Sequence, residues 1–468
     1  MDDYVSGNWI AYAALLAWPL ISIALFASFR LPTAIIWSVL GALLLLPAQV
    51  PIKIPMIPAI DKNSVATLGV LLGCTIFGRK QSQGSRLGLT EFFLVLYLAA
   101  PLVTSIMNGD TLYLGNRAIA GVGLYDGISA LLSQVIMVFP FIIGRRYFRS
   151  AGECIAILRG LTFGGLLMTL PMLFEIRMSP QLANWIYGYF PSSFAVEMRN
   201  GGFRPVVFMN NGLSAAFFLS TAVLSACALW RARVRVLPLP RGALTLYLGG
   251  VLLLCKSAGA LVYAVVMGPV IRWMSPKSQL RIALFLALVA LLYPTLRLSG
   301  YFPTGALLSV AEDFNQERAR SLKFRFDNED KMLAHAEDRL FFGWGRYGRN
   351  RIYDETTGWE SVTDGLWIIT LGQFGLVGFI GQFGLFTLSV FRAAAALRYA
   401  RAYHEQLLLS SLSIVVAVTA VEQLPNASVS PWTWLLTGAL LGQAEGLRRS
   451  TRTAASSPAP TSHVTHLA

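Results

Sequence analysis

The sequence predicts an all-α integral membrane protein: a polytopic helical bundle with about 13 transmembrane helices and one large, partly helical outer loop. Hydrophobic residues make up 55% of the 468 positions and charged residues only 13%, against roughly 25% in ordinary soluble domains. A soluble core cannot bury that much apolar surface. In addition, apolar runs of about 20 residues, the length needed to cross a bilayer, follow one another with short polar links.

The predicted spans are the apolar runs of the chain, taken in order. The first run has no basic segment before it, so we expect a retained span and not a cleaved signal. The starts of the runs lie near Asn8, Leu31, Ser64, Gly88, Asp126, Gly152, Pro205, Gly242, Ala258, Ile282, Trp367, Leu407 and Pro431.

Basic residues in the links predict the orientation of the chain. Alternate links are rich in Arg and Lys, as in the run that holds Arg145, Arg146 and Arg149. Such links stay on the cytoplasmic side. With an odd number of spans, this places the N-terminus and the long loop outside and the C-terminus inside.

Four regions follow from this reading. Residues 1–299 form a transmembrane bundle of ten spans, and residues 300–365 form the outer loop. Residues 366–447 hold the last three spans. Residues 448–468 are rich in Ser, Thr, Ala and Pro, which is typical of a disordered cytoplasmic tail.

The outer loop (residues 300–365) has a mixed pattern. Apolar positions between Gly305 and Phe326 approximate one helical face. Asp327 and Asp330 form a weak capping pattern for a second helix that would run to about Arg339. The run FFGWGRYGRN follows, and its closely spaced glycines indicate tight turns.

Cations at the outer boundary are the first candidates for a binding site. Arg204, Lys256, Arg297 and Arg346 lie where topology signals do not require positive charge. An anionic group at headgroup depth, such as a lipid diphosphate, would explain them, because Arg and Lys bind phosphate oxygens. The net charge of +14 therefore indicates membrane topology and an anionic lipid, and no nucleic acid.

Three of these cations also have a plainer explanation. Arg204 and Arg297 suit snorkelling side chains at span ends, and Lys256 suits a hairpin between two short spans. Asn210 and Asn211 follow Arg204 and predict a polar cavity inside that span, or hydrogen bonds between helices.

Aromatic residues of the loop have two interpretations. Trp344 and Tyr347, between glycines, favour a turn that stacks on sugar rings, whereas Trp359 and Trp367 suit an interfacial belt. Asn211 is a further candidate for glycan binding.

Catalysis at a sugar hydroxyl needs a base or a hydrogen-bond acceptor. Asp364, where the loop enters the next span, and His335 are the candidates, although Asp364 also suits a helix N-cap and His335 a solvated helix face. No metal-ligand spacing is visible, and the four cysteines lie in apolar runs, so we expect no metal and no cofactor. Arg159 and Glu422 are the charges nearest to span centres.

Several segments together resemble the O-antigen ligase/polymerase superfamily. Gly343-Trp344-Gly345 resembles the G-x-G turn of its large loop, and the run from Gln373 to Gly378 resembles its following span motif. FRPVVFMNNGLSAAFF resembles the family's earlier Arg segment. LLLCKSAGALVYAVVMG resembles its Ser-Arg-Gly-Ala segment, with Lys256 before Ser257 instead of an Arg after it.

The resemblance implies a multi-pass glycosyltransferase of the bacterial inner membrane, with a periplasmic N-terminus and loop and a cytoplasmic C-terminus. Its donor would be a glycan on undecaprenyl diphosphate, held by arginines, and its acceptor a second such glycan. Chain-length regulators or export proteins would be further partners. The family commonly has a His in a polar pair of the loop, where this chain has Thr363-Asp364. This departure favours Asp364 as the catalytic residue and a Wzy-type polymerase as the function.

Three alternatives remain at this point. An O-antigen ligase would transfer the same glycan to lipid A core. A transporter or flippase of lipid-linked oligosaccharides would favour charges at mid-depth and inverted repeats, and neither is evident. A non-catalytic assembly partner or sensor would favour an outer loop poor in Lys and Arg.

Overall fold

The computed structural model describes residues 6–54, 58–78, 88–114, 117–199, 201–238, 240–314, 316–353, 360–362 and 364–456. These residues form a helical bundle with two short antiparallel hairpins, β1 (Leu112–Leu114) with β2 (Arg117–Ile119) and β3 (Met198–Arg199) with β4 (Gly202–Phe203). The α-helices are α1 (Trp9–Ser28), α2 (Leu31–Leu45), α3 (Lys62–Phe77), α4 (Leu89–Met107), α5 (Leu124–Tyr147), α6 (Ala151–Met178), α7 (Leu182–Tyr187), α8 (Phe194–Glu197), α9 (Gly212–Arg231), α10 (Arg241–Leu254), α11 (Ala258–Trp273), α12 (Pro276–Leu298), α13 (Thr304–Phe314), α14 (Gln316–Glu337), α15 (Leu366–Ala396), α16 (Tyr403–Glu422) and α17 (Pro431–Ser456).

The length and composition of these helices confirm an all-α membrane protein. Eight of the described helices are long and apolar enough to cross a bilayer: α1, α4, α5, α6, α9, α12, α15 and α16. Four more apolar helices, α2, α3, α10 and α11, are shorter. The count of thirteen spans and the periplasmic position of the loop stay predictions.

Local capping explains where two of the helices begin. Asp61 accepts backbone N–H bonds from Asn63 and Ser64 and so starts α3. Asn211 accepts the N–H of Ser214 at 2.9 Å and starts α9. The predicted span start near Pro205 is therefore wrong, because Asn211 lies at the cap and not inside the helix.

Helices α5 and α17 pack closely through glycines. A Cβ on Gly438 would lie 2.0 Å from the carbonyl oxygen of Phe141, and one on Gly144 would lie 2.5 Å from that of Leu435. Trp434 of α17 is fully buried among Tyr97, Phe141 and Phe386. Small residues at such contacts let membrane helices approach closely and gain dispersion energy.

Helix α15 is broken one third of the way along. Gly375 has φ 64° and ψ −166°, which is not helical, and this region is essentially restricted to glycine. The break leaves backbone groups on either side of Gly375 free to bond to another segment.

The loop differs from its predicted division. Helix α14 begins at Gln316 and passes through Asp327, so the predicted helix boundary at Asp327 is wrong. Asp330 pairs with Arg297 instead of capping a helix. Helix α17 extends to Ser456, so the first part of the predicted disordered tail is helical. Residues 457–468 lie outside the described residues.

Candidate functional site

Arg204 follows the β3–β4 hairpin and lies at the start of α9. Its side chain is buried, with 6% exposure, and its stem packs on Gly212, where a Cβ would lie 2.4 Å from Cδ. The guanidinium makes no hydrogen bond to any described residue, and its Nε is enclosed without a partner. A buried cation in this state is costly, so this guanidinium is a candidate for ligand binding.

Glu197 is the carboxylate nearest to Arg204, and its Oε1 is hydrogen-bonded elsewhere, whereas its Oε2 faces Arg204 without a hydrogen bond. It accepts hydrogen bonds from the Gly212 N–H at 3.2 Å and from the Ser192 hydroxyl at 2.7 Å. Its distance to Arg204 Nη1 is 3.7 Å, which is too long for a hydrogen bond. The carboxylate thus orients Arg204 without saturating its donors.

Lys256 supports the hairpin from the link between α10 and α11. Its backbone has φ 52°, and its Nζ donates to the carbonyl of Arg199 at 3.0 Å. A Cβ on Gly202 would lie 2.4 Å from the same Nζ, so a larger residue there would displace the Lys256 ammonium. The predicted cations Arg204 and Lys256 therefore both adjoin the β3–β4 hairpin, Arg204 directly after β4 and Lys256 through the carbonyl of Arg199.

Arg199, Arg204 and Lys256 together form a positive region, to which Arg325 of α14 adds a further charge. Arg325 pairs with Asp364 at 3.2 Å, and its Nη1 lies 3.4 Å from the carbonyl of Pro425. Burial lowers the pKa of Arg204, and repulsion from Arg199 and Arg325 lowers it further, although Glu197 opposes both effects. Arg199 and Arg325 are thus close enough to Arg204 for their charges to repel it.

Asp364 occupies the position that the sequence suggested, but it does not cap a helix. The N-cap of α15 is Gly365, and Asp364 instead contacts Arg325 with its carboxylate part-exposed. Thr363, the other member of the predicted polar pair, lies outside the described residues.

Asp364 and Arg325 line a cavity of about 310 Å³ beneath α14. Its walls are mainly apolar, and its polar groups include Tyr263, Asn328 and Glu329. Such a cavity, with few polar groups on apolar walls, is typical of a small-molecule site. Glu422, one of the two charges predicted near a span centre, hydrogen-bonds Asn426 behind Tyr263.

Arg297 has a different environment from Arg204. Its guanidinium pairs with Asp330 at 2.6 Å and Glu329 at 3.6 Å, and it lies 5.1 Å from the Phe326 ring. Burial raises the pKa of Glu329, and the positive charge of Arg297 opposes this. Arg297 therefore anchors α14 to α12, and little of its charge remains for a substrate.

The glycine-rich turn of the loop binds the break in α15. The N–H groups of Trp344 and Gly345 donate to the carbonyls of Gly372 and Gln373 at 2.8 and 2.9 Å. In the other direction, Leu376 donates to Leu340 at 2.8 Å. Two of the four segments that carry the family resemblance thus contact each other directly.

His335 and Trp344 form part of the scaffold of this turn. Their rings stack at 4.3 Å, and Arg339 lies 4.2 Å from the Trp344 ring. The indole N–H donates to the His335 carbonyl, and His335 Nε2 lies 3.1 Å from the Arg349 carbonyl. Trp344 is only 9% exposed, so its ring offers no open face for a sugar.

Arg349, which the sequence did not single out as a site residue, holds the turn in place. It is fully buried and donates to the carbonyls of Trp344, Asp110 and Ala120 at 2.8–3.1 Å and to the Asp110 carboxylate. Arg339 also binds Asp110, and this hydrogen bond lowers the pKa of that carboxyl below its ordinary value.

Arg346 and Tyr347 lie on the outer side of the turn. Arg346 lies 5.7 Å from the Tyr347 ring, and Tyr347 is 56% exposed. Within the described residues, no contact joins Arg346 to Arg204, Lys256 or Asp364. The predicted site residues thus fall into two groups, one around the cavity and one at the turn.

Sequence reasoning missed Arg199, Glu197 and Arg325 as members of the first group. The pairing of Arg199 and Arg204 on either side of Gly201-Gly202 is a hairpin signal that could have joined them. The partnership of Arg325 with Asp364 joins residues in different elements and has no local signal.

Comparison with protein-family models found no match to this chain, and comparison with curated proteins found no matching relative. The resemblance to the O-antigen ligase/polymerase superfamily therefore stays a prediction from the quoted segments.

Proposed function

We propose that this protein is a membrane glycosyltransferase that polymerises glycan repeat units carried on undecaprenyl diphosphate, on the periplasmic face of a bacterial inner membrane. The observation that carries the proposal is Arg204, a buried guanidinium without a hydrogen bond whose charge interacts with that of Arg325, a residue that lines the cavity. An O-antigen ligase that transfers the same glycan to lipid A core is the alternative.

The donor diphosphate would bind the positive region around Arg204. Arg199, Arg204, Lys256 and Arg325 supply positive charge there, whereas Glu197 is held by the start of α9. Phosphate oxygens accept bidentate hydrogen bonds from guanidinium groups, and they would supply the acceptors that the Arg204 donors lack. The diphosphate is also the leaving group, so the same cations stabilise the charge that develops as the bond breaks.

Asp364 would accept the proton of the attacking hydroxyl. A bond forms between that hydroxyl oxygen and the anomeric carbon of the growing chain, and the bond from the anomeric carbon to the phosphate oxygen breaks. The electron pair leaves with the lipid diphosphate, and the hydroxyl proton passes to the Asp364 carboxylate. Because Arg325 contacts Asp364 at 3.2 Å, a bound diphosphate would compete for Arg325 and release the carboxylate.

The turn around Trp344 would position the loop, and His335 would act through that turn. The backbone bonds to α15 fix the turn above the membrane bundle. Tyr347 and Arg346 lie on its outer side, where a glycan that leaves the cavity would contact them. Arg297 would hold α14 over the cavity.

The test is lengthening of lipid-linked repeat units by purified protein. Arg204→Ala should lower the initial rate at least about 30-fold, because losing one buried charge-assisted contact costs about 2 kcal/mol or more. Arg117→Ala is the matched control, since Arg117 pairs with Glu360 at 3.2 Å on the surface of the same side. Normal lengthening by Arg204→Ala would remove the proposed site. Transfer to lipid A core without lengthening would identify the ligase instead.

A further inference from the structure

A long groove lies between α1, α2 and α6. Its volume is about 970 Å³, and its walls include Trp18, Trp37 and Phe163. It follows α2 from Arg30, just before the first turn, to Leu45, the last residue of the helix. Fifteen residues of helix rise about 22 Å, which is most of the roughly 30 Å hydrocarbon core of a bilayer.

Two arginines line this groove towards one end. Arg30 and Arg159 are exposed, and neither side chain makes an ion pair or hydrogen bond to the described part of the chain. Arg159 lies eight positions after the start of α6, about 12 Å along the helix axis. A cation at that depth without a protein partner is costly in hydrocarbon.

The acidic residue of the groove does not compensate for these charges. Glu153 accepts the N–H groups of Arg149 and Ser150 at 2.7 and 2.5 Å, so its carboxylate closes the first turn of α6. The lining therefore has two cations and one committed carboxylate. A helical side chain points towards the N-terminus of its helix, which directs Arg159 back towards Arg30 and the predicted cytoplasmic surface.

We propose that this groove binds an anionic phospholipid of the cytoplasmic leaflet, with its phosphate between Arg30 and Arg159 and an acyl chain along α2. The apolar walls match an acyl chain, and the paired guanidinium groups match a phosphodiester that has no cationic headgroup of its own. The site lies between α1, α2 and α6 and does not depend on the proposed enzymatic function.

The experiment uses the full chain in nanodiscs made from equal amounts of phosphatidylglycerol and phosphatidylethanolamine. Each lipid in turn carries a photoreactive group on its acyl chain, and mass spectrometry locates the crosslinked peptides. We expect phosphatidylglycerol to label α1, α2 and α6 several-fold more than phosphatidylethanolamine does. Arg159→Gln combined with Arg30→Gln should abolish that preference, and Arg159→Lys should keep most of it.

Arg272→Gln is the matched control. Arg272 is also a basic residue of a predicted cytoplasmic link, but its guanidinium lies 4.5 Å from the Trp230 ring and does not line the groove. Equal labelling by both lipids would overturn the proposal, because the groove would then bind acyl chains without discriminating between anionic and zwitterionic headgroups. Displacement of the label by a polyprenyl diphosphate, and not by unlabelled phosphatidylglycerol, would also overturn it.

Discussion

At the scale of single residues, Arg204 and Arg349 are two buried arginines that differ in their hydrogen-bond partners. Arg349 is fully buried, and its donors reach three carbonyls and the Asp110 carboxylate. Arg204 is almost as buried and reaches none within hydrogen-bond distance in the described structure. Because folding tolerates a buried charge mainly when it is hydrogen-bonded, Arg349 serves the fold and Arg204 is suited to a ligand.

Asp364 permits a sharper test than Arg204, because loss of a proton acceptor and loss of a phosphate contact change the turnover number and the donor KM in different ways. Asp364→Asn keeps the size of the side chain but removes its capacity to take a proton. We expect the turnover number to fall by about 100-fold or more, within the usual range for a general base, while the KM for the lipid-linked donor does not rise, because loss of the Asp364 charge leaves Arg325 free for the diphosphate. Initial rates over a range of donor concentrations separate these two parameters.

A matched carboxylate controls for the loss of an ion pair. Glu360 lies in the same loop as Asp364 but does not line the cavity. It pairs with Arg351 of that loop and with Arg117 of β2. Glu360→Gln should therefore keep the turnover number. A large loss in Glu360→Gln with normal turnover in Asp364→Asn would reverse the assignment, and an unchanged turnover in both would exclude a carboxylate base in this part of the loop.

At the scale of elements, the loop depends on the broken helix α15. Gly343 and Gly375 both have positive φ, and a Cβ on Gly343 would lie 2.6 Å from the Gln373 carbonyl carbon. The backbone hydrogen bonds between the turn and the helix form only because the two segments approach each other at glycines, which have no side chains. The turn is thereby fixed with respect to α15, the helix that begins directly after Asp364.

Gly375→Ala should detach this turn. The added Cβ would lie 2.2 Å from the carbonyl carbon of Phe341, and Ala at φ 64° is strained by about 1–3 kcal/mol. We expect faster amide hydrogen exchange in residues 340–349 and a loss of lengthening activity. Gly249→Ala in α10 is the control, because nothing lies within 4 Å of its added Cβ. Unchanged exchange in the Gly375 variant would contradict the docking role.

Some of these elements could be predicted from sequence, and the reasons for the failures are physical. Apolar runs located the helices because each must face lipid or a neighbouring helix along its length. The start of α9 was misplaced because residues 205–209 are apolar although they are not helical, and the capping signal of Asn211 was read as a polar pair inside the span. The contact of Arg325 with Asp364 joins α14 to the residue before α15, and no spacing rule predicts it.

At the scale of the whole molecule, we expect the two proposed sites at opposite ends of the bundle. The cavity lies beneath α14 on the predicted outer side, whereas Arg30 and Arg159 lie towards the predicted cytoplasmic side. Both assignments depend on the same orientation, which derives from the distribution of Arg and Lys in the links. A direct measurement of the side of the membrane on which each segment lies therefore tests the orientation that both proposals assume.

Single cysteines at four exposed positions provide that measurement. The native cysteines Cys74, Cys154, Cys227 and Cys255 are all buried, so their background labelling should be low. In intact spheroplasts, a membrane-impermeant maleimide should label Trp9→Cys and Tyr301→Cys, which replace side chains 77% and 82% exposed. Lys277→Cys and Ser450→Cys should react only after permeabilisation, because they lie at the other end of α12 and near the end of α17.

Equal labelling of Tyr301→Cys and Lys277→Cys would mean that α12 does not cross the membrane. Labelling of Trp9→Cys and Ser450→Cys from the same side would require an even number of spans, and the predicted outer position of the loop between α12 and α15 would then need a different topology between α1 and α12.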